Sequence, residues 1–373
     1  MEKLEIEENN TISLCMLVKN NEKNVKRALD SLQGIIDELI IVDLGSTDKT
    51  IEIVKPYGSK IFQYEWNGSY ADARNFALEQ ATCDWIFIMN PDEILEEVTK
   101  NLLYDAIQYE KGIANFIFIT HILNGQTLQT PELRVFRNKK NIKFKGIVNE
   151  NVYEDVKDLY LNKKREYRIF PVYVTDYSNQ EEDYKTKIKE KLELTNKAFE
   201  LETNPLDKLR HLLKKIEYLK LLEENHNDIP KYLQEGFQIA AKIKDPLIFN
   251  FDDPIKDLNM EIVESLILLG NYQRALLMVE YALKMYPNSF NALMAKLNCL
   301  KFLDKKEEFD ETLEKLKEFT KNNTYNPYET TIFELMRNMT ISFNQQQAEE
   351  QKATESSYDD APSIIAIDDF IID

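Results

Sequence analysis

The sequence predicts an α/β domain with a largely parallel sheet, followed by an all-α domain. In the first half, short β-branched runs alternate with segments of helical periodicity, an order typical of βαβ units. From about Asn179 to Asn322, Lys, Glu and Leu dominate and apolar residues recur at helical spacing. The predicted division is 8–178 for the α/β domain, 179–325 for the helical domain, 326–343 for a transition helix or linker, and 344–373 for an acidic, disordered tail.

Apolar runs mark the strands of the first domain, and helical spacing marks its helices. The runs predict strands at 11–18, 39–43, 60–64, 85–90, 115–122 and 133–137, with a further pair near 142–148 and 172–177. The predicted helices are 24–32, 47–54 and 71–81, and Ser46 or Thr47 is a candidate N-cap of the second one. Ligands of an open α/β sheet bind beyond the carboxyl ends of its strands. Val18, Asp43 and Asn90 are therefore expected at that edge.

The helical domain contains one legible internal repeat. The first copy covers 269–288, and a shift of 34 residues aligns Gly270 with Asp304 and Ala275 with Phe309. This spacing is typical of a tetratricopeptide helix pair. Since one pair cannot bury its own apolar face, neighbouring helices are expected to complete a short solenoid. The alternative is an ordinary antiparallel helical bundle.

Composition narrows the classes of function. The net charge of −18 repels nucleic acid and anionic lipid, so neither is expected as a partner. Three cysteines without a Cys-x-x-Cys pair exclude a disulfide framework and a zinc ribbon, and three histidines argue against a multi-histidine metal site. We recognise no signal peptide and no apolar run long enough to span a membrane, so we expect a cytoplasmic protein without a membrane span.

Polar motifs follow three of the predicted strands and open one helix. They are Val18-Lys19-Asn20, Asp43-Leu44-Gly45-Ser46-Thr47-Asp48, Ala73-Arg74-Asn75 and Asn90-Pro91-Asp92-Glu93. In this order and spacing they resemble the motifs of family 2 glycosyltransferases with the GT-A fold. With its helical repeats, the chain is similar to bacterial glycosyltransferases that carry C-terminal tetratricopeptide repeats, a group that includes peptide S-glycosyltransferases of the glycocin type.

The resemblance implies a GT-A nucleotide-sugar-binding domain followed by an all-α tetratricopeptide-like domain. The residues to which it gives donor-binding roles are Val18, Asn20, Asp43, Ser46, Asp48, Arg74, Asn75, Asn90 and Asp92. The Asp43 carboxylate would hold the base or ribose, and the Arg74 guanidinium would face the donor diphosphate. The alternatives are helix capping by the 46–48 segment and a surface ion pair of Arg74 with Asp72 or Glu79.

The triplet Asn90-Pro91-Asp92 stands where the family has Asp-x-Asp, which holds a divalent cation against the donor diphosphate. The resemblance therefore implies Mn²⁺ or Mg²⁺ as a cofactor, with Asp92 as the metal ligand. Asn90 brings an amide oxygen but no charge. Two histidines of the family are also replaced, by Asn149 and Val174. One interpretation is an active enzyme with a weakened metal site, in which Asn90→Asp would raise the activity. The other is a catalytically impaired site.

The preferred function is transfer of a sugar, with inversion, from a nucleotide-diphosphate donor such as a UDP-sugar. The acceptor would be a peptide, a protein or a cell-surface glycan. Glu150, from the family's His-Glu pair, is the first candidate for the general base beside the catalytic Asp92, and Glu132 is the second. The alternative role of these glutamates is a structural salt bridge with Arg134 or Arg137.

The helical domain would bind the acceptor or form a homodimer, and solenoid surfaces suit extended peptides. The alternative function is a pseudo-glycosyltransferase that acts as a scaffold and binds a partner through its repeats and tail. A nucleotidyltransferase is disfavoured, because the sequence lacks a glycine-rich, basic N-terminal signature.

Overall fold

In the computed structural model, the described residues are 10–123, 126–163, 165–180, 183–223, 228–243, 254–285, 287 and 289–322. The chain divides into two compact units, Met1–Asp304 and Lys305–Asp373. The predicted linker 326–343 and acidic tail 344–373 lie outside the described residues. The domain boundaries at 178 and 325 stay predictions.

The first unit is built on one mixed sheet. Its eight strands, counted over the described residues, are β1 (Ile12–Val18), β2 (Glu38–Asp43), β3 (Lys60–Gln63), β4 (Trp85–Ile88), β5 (Glu93–Leu95), β6 (Gly112–Leu123), β7 (Gln126–Arg137) and β8 (Glu166–Asp176). Their order in the sheet is β3-β2-β1-β4-β7-β6-β8-β5. The strands β1 to β4 are parallel, β7 runs antiparallel to β4 and β6, β8 is parallel to β6, and β5 is antiparallel to β8. The α/β class predicted for the first half is confirmed.

Five described helices lie in sequence between strands of the sheet, and seven more follow the last strand. The helices of the first half are α1 (Val25–Ser31), α2 (Thr50–Val54), α3 (Tyr70–Gln80), α4 (Lys100–Ile107) and α5 (Tyr153–Lys163). The helical region comprises α6 (Tyr184–Leu201), α7 (Pro205–Leu222), α8 (Ile229–Ala240), α9 (Pro254–Leu268), α10 (Tyr272–Met285), α11 (Phe290–Phe302) and α12 (Lys306–Asn322). Of these, α12 belongs to the second unit. The all-α region predicted for the second half is confirmed.

Three of the parallel strands, β1, β2 and β4, are buried on both faces. Along β1, Leu14 and Met16 enter one apolar core while Cys15 and Leu17 enter the other, because successive side chains of a strand point to opposite faces. One core packs against α1 and the other against the alanine-rich face of α3. This double burial explains why these strands appear in the sequence as unbroken apolar runs.

Two sequence predictions about the first half are wrong. The segment 142–148 forms no strand but a loop with a single bridge between Lys145 and Asn151. Its alternating apolar residues imitate a strand, whereas positive φ angles at Gly146 (91°) and Asn149 (54°) turn the chain. The second helix begins at Thr50 and has no side-chain cap, so capping by Ser46 or Thr47 is also wrong.

The predicted repeat has a structural counterpart. Gly270 and Asp304, which the 34-residue shift aligns, both have left-handed backbones, with φ of 69° and 54°. Each therefore makes the turn after a helix at the same repeat position. Tyr272 of α10 stacks on Phe302 of α11 with ring centroids 4.3 Å apart.

Over the residues that the structure describes, no helix is long and apolar enough to cross a membrane.

Glu38 joins three segments at the amino-terminal end of the parallel strands. Its carboxylate accepts hydrogen bonds from the Ser13 hydroxyl, the Lys60 ammonium, and both the Thr82 backbone N–H (2.7 Å) and hydroxyl (2.8 Å). Burial by itself raises the pKa of Glu38. The hydrogen bonds from Lys60, Ser13 and Thr82 outweigh burial and lower this pKa to about 2.

Glu38→Gln is expected to lower the free energy of unfolding by about 3 kcal/mol at pH 7, at about 1.4 kcal/mol per pKa unit. The folded-state pKa lies below that of the unfolded chain. The carboxylate's contribution is therefore present above the ordinary glutamate pKa and disappears as the pH falls towards 2. Urea unfolding at pH 7 and pH 3 should show a smaller difference from the parent at pH 3. The matched control Glu97→Gln, whose side chain is 82% exposed, should change little. An equal Glu38→Gln effect at both pH values would contradict this.

Candidate active site

The loops after β1 and β2 meet in a hydrogen-bonded junction that contains five of the predicted donor-binding residues. It lies at the carboxyl ends of these strands, where Val18 and Asp43 are register partners. Asn20, with a left-handed φ of 55°, donates its backbone N–H to the Ser46 hydroxyl (3.1 Å). The Asp48 carboxylate accepts from the backbone of Glu22 (3.0 Å). The polar side chains of the 46–48 segment thus join two loops.

The Asp43 carboxylate is buried and bound on both sides. One oxygen accepts from the Ser46 backbone N–H and the other from the Gln63 amide, both at 2.9 Å. Only 1% of Asp43 is exposed. These bonds fix the turn after β2, and a donor-binding role for Asp43 stays a prediction.

Arg74 lies buried at the centre of the site, 7% exposed. From α3 it donates Nε to Glu150 (3.1 Å) and Nη2 to the amide oxygen of Asn90 (2.8 Å). The surface ion pair with Asp72 or Glu79 is therefore wrong. Its Nη1 is buried and has no hydrogen-bond acceptor among the described residues.

Asn90 connects Arg74 to a second buried ion pair. Its backbone N–H (2.7 Å) and side-chain amide (2.9 Å) donate to the two carboxylate oxygens of Glu93. Those oxygens also accept from Nη1 and Nη2 of Arg134, at 3.3 and 3.0 Å. Glu150, Arg74, Asn90, Glu93 and Arg134 therefore form one connected set, which we call the Arg74 network. An amide suits position 90, because it donates to one neighbour while it accepts from the other.

The loop 142–151 brings Glu150 to the Arg74 network. Asn75 of α3 holds this loop: its amide donates to the Phe144 carbonyl (2.9 Å) and accepts from the Phe144 N–H (2.8 Å). The Tyr70 N–H donates to the Ile147 carbonyl (2.8 Å). Asn75 therefore anchors the loop, and its donor-binding role stays a prediction.

The predicted salt-bridge partner is confirmed for Glu132 and wrong for Glu150. Glu132 does pair with Arg134, at 2.9 Å, as the structural alternative predicted. Glu150 pairs with Arg74 rather than with Arg134 or Arg137. Arg137 instead lies over the Trp85 ring, 4.4 Å from its centroid.

The side chains of the motif form at most part of a cation site. The Asn90 oxygen accepts from Arg74, and both Glu93 oxygens bind Asn90 and Arg134. Asp92, the other acid of the motif, is half-buried. Within the described ranges, no three His, Cys, Asp or Glu side chains cluster so that they could hold a metal ion. A Mn²⁺ or Mg²⁺ ion at Asp92 would have to take further oxygen ligands from the donor and from water.

A histidine that the sequence did not single out lies on the same sheet. His121 on β6 and Asp176 on β8 are register partners, and Nδ1 of the ring lies 3.2 Å from the carboxylate. Burial lowers the pKa of His121, but the hydrogen bond and charge of Asp176, with the charge of Glu132, outweigh burial and raise it. Burial alone would raise the pKa of Glu132, but the charges of Arg134, Lys214 and His121 outweigh burial and lower it. The charge of Lys214 on α7 lowers the pKa of both Glu132 and His121. No sequence motif signals this group, because only the strand register pairs His121 with Asp176.

The comparison with known proteins agrees with this geometry. Residues 13–162 match the family model described as glycosyl transferase family 2. We refer to these residues as the family 2 domain because of this match. The match ends before β8 and before the helical region, so the family 2 domain covers β1 to β7, α1 to α4 and most of α5.

Relatives match parts of the chain. A TPR repeat-containing protein of Synechococcus elongatus is 34% identical over 38% of this chain and 35% of its own length. The SPbeta prophage-derived glycosyltransferase SunS of Bacillus subtilis is 27% identical over 58% of this chain and 54% of its own length. The chain thus spans about half or less of these relatives. A crystal structure of S. aureus TarS 1-349 in complex with UDP-GlcNAc has a TM-score of 0.40 and 19% identity, covering 71% of this chain and 87% of that one.

Asn90→Asp is expected to destabilise the protein rather than to restore a stronger site. The new carboxylate would face the Glu93 carboxylate, which now accepts a hydrogen bond from the Asn90 amide at 2.9 Å. Because breaking a buried charge arrangement is costly, the free energy of unfolding should fall by about 3 kcal/mol. Thermal unfolding should show a larger loss at pH 8 than at pH 5, because protonation of one carboxyl relieves the repulsion. Combining it with Glu93→Gln keeps one carboxylate in the pair and should recover much of the stability. Parent-like stability of Asn90→Asp alone at pH 8 would contradict this account.

Proposed function

We propose that this chain transfers a sugar from a nucleotide-diphosphate donor, such as a UDP-sugar, to a peptide or protein acceptor. The observation that carries the proposal is the Arg74 network at the carboxyl edge of a family 2 glycosyltransferase domain. A buried guanidinium with one unsatisfied Nη1 is a costly feature, and a bound phosphate oxygen is an acceptor that would offset the cost.

On the donor side, Arg74 would face the diphosphate and Asp43 would hold the base or ribose. The remaining donor-binding residues of the proposal are Val18, Asn20, Ser46, Asp48, Asn75, Asn90 and Asp92. The Arg74 network contains two arginines and two glutamates, and Arg134 also pairs with Glu132, so the group has no net positive charge. A diphosphate placed beside it and Asp92 would need further positive charge. The proposal therefore includes a divalent cation, Mn²⁺ or Mg²⁺, held by Asp92.

On the acceptor side, a carboxylate would take the proton from the attacking hydroxyl or thiol, and the anomeric carbon would be inverted. Glu150 is the proposed base. Glu132 is the second candidate, and its side chain is 35% exposed against 14% for Glu150.

Glu150→Gln should abolish transfer and leave nucleotide binding measurable if Glu150 is the base. If Glu132→Gln alone does so, the assignment moves to Glu132.

The acceptor is proposed from the helical region. The left-handed turns at Gly270 and Asp304 support a helical repeat, and such repeats present extended surfaces that suit peptides. SunS, which aligns beyond the family 2 domain, carries the name glycosyltransferase. A cell-surface glycan is the alternative acceptor. The proposal also includes dimerisation through the helices and a cytoplasmic location.

The second candidate function is a nucleotide-binding or partner-binding scaffold. The observation in its favour is the Asn90 amide, which leaves the motif with less negative charge for a cation than Asp-x-Asp would supply. The two functions differ in turnover, because a scaffold would release no nucleotide from any donor.

Incubation of the chain with a panel of nucleotide sugars and candidate peptides tests the proposal. Release of nucleoside diphosphate from one donor is expected with Mn²⁺ or Mg²⁺, and chelator or Asp92→Asn should abolish it. The matched control Asp105→Asn changes an exposed acid on α4 and should keep parent-like turnover. Release that ignores both chelator and Asp92→Asn would contradict the cation. No release and no nucleotide binding would favour the scaffold.

A further inference from the structure

The loop that carries Glu150 contains a residue with an unfavourable backbone. Asn149 adopts a left-handed conformation with φ of 54°. Side chains with a Cβ atom rarely adopt it, although Asn tolerates it better than most because its amide can bond locally. Contacts with other segments are therefore needed to stabilise Asn149 in this conformation.

Two helices beyond the family 2 domain bind the Asn149 side chain. The Tyr218 hydroxyl of α7 donates to the amide oxygen at 2.8 Å. The amide nitrogen donates to the Thr195 hydroxyl of α6 at 3.3 Å. Tyr218 is 7% exposed and Thr195 is fully buried, so water cannot readily replace either partner. Both ends of the Asn149 amide are thus satisfied by the helical region.

The same loop is bound to the family 2 domain on its other side. Glu150 accepts from Arg74, and the Ile147 carbonyl accepts from the Tyr70 N–H. Lys145 and Asn151 pair across the base of the loop. Glu150 therefore sits between two anchors, one on α3 and one on α6 and α7. Loss of either anchor frees the loop to relax from its left-handed turn.

We propose that Tyr218 and Thr195 are positioning residues, which hold Glu150 in the Arg74 network by fixing the backbone of Asn149. This inference rests on the proposed function only for the role of Glu150; the positioning of the loop does not depend on it. It follows that residues 13–162 alone do not make a complete site, and that the helical region takes part in the chemistry of the family 2 domain. Burial raises the pKa of Tyr218, so its hydroxyl keeps the proton that it donates.

Tyr218→Phe tests the proposal, with hydrogen exchange of the loop as the first readout. The substitution keeps the ring and removes one hydroxyl. Exchange of peptides covering 144–151 should become about tenfold faster, because the left-handed turn loses its partner. The matched control Tyr281→Phe changes a tyrosine of α10 that is 55% exposed and should leave this exchange unchanged. Parent-like exchange of 144–151 in Tyr218→Phe would overturn the proposal.

Asn149→Gly provides a second variant that separates positioning from general damage. Glycine adopts a positive φ without a side-chain partner, so Tyr218→Phe should have no additional effect in the Asn149→Gly background. Equal effects of Tyr218→Phe in both backgrounds would show that the hydroxyl acts elsewhere and overturn the proposal.

Turnover gives the second readout. With an active donor, kcat of Tyr218→Phe should fall about tenfold while the KM for donor changes less than about twofold, since Glu150 is displaced but the donor-side loops are not. A lower kcat together with a lower global unfolding temperature, but without faster exchange of the loop, would mean that Tyr218 has a merely structural role and would overturn the proposal. If the parent protein turns over no donor but the loop still loosens, the proposed function fails while the positioning stands.

Discussion

Two guanidinium groups, the buried Arg74 and the largely buried Arg134, organise the polar side chains at the carboxyl edge of the sheet. A charge removed from water must meet an opposite charge, or it costs several kcal/mol. Arg74 on α3 therefore pairs with Glu150 of the loop, and Arg134 on β7 pairs with Glu93 of β5. Asn90 joins the two pairs because its amide accepts from one arginine and donates to the opposite glutamate. Four segments distant in sequence thus become one polar unit.

The apolar layers on the two faces of the sheet position this polar unit. The strands β1, β2 and β4 are buried on both faces, and the loops that follow them lie at one edge of the sheet. The loop 142–151 is then held from α3 by Asn75 and Arg74, and from the helical region by Thr195 and Tyr218. The structure thus supports the Arg74 network from both the family 2 domain and the helices that follow it.

Sequence reasoning located the parallel half of the sheet and the polar edge, because unbroken apolar runs and short motifs are local signals. It failed where tertiary contacts decide the structure. The alternation in 142–148 imitates a strand, but the left-handed backbones of Gly146 and Asn149 turn the chain. The partner of Arg74 is 76 residues away, and the position of Glu150 depends on helices outside the motif region. The pairing of His121 with Asp176 likewise follows from strand register alone.

Calorimetry with UDP and the other common nucleoside diphosphates tests most directly whether the Arg74 network binds a nucleoside diphosphate. Binding of one of them is predicted, weakened about tenfold or more in Arg74→Gln, because a charged hydrogen bond to phosphate is lost. Arg168→Gln changes a guanidinium that is 44% exposed and should bind like the parent. Equal dissociation constants for the parent and a folded Arg74→Gln variant, or no binding to any of them, would contradict the account.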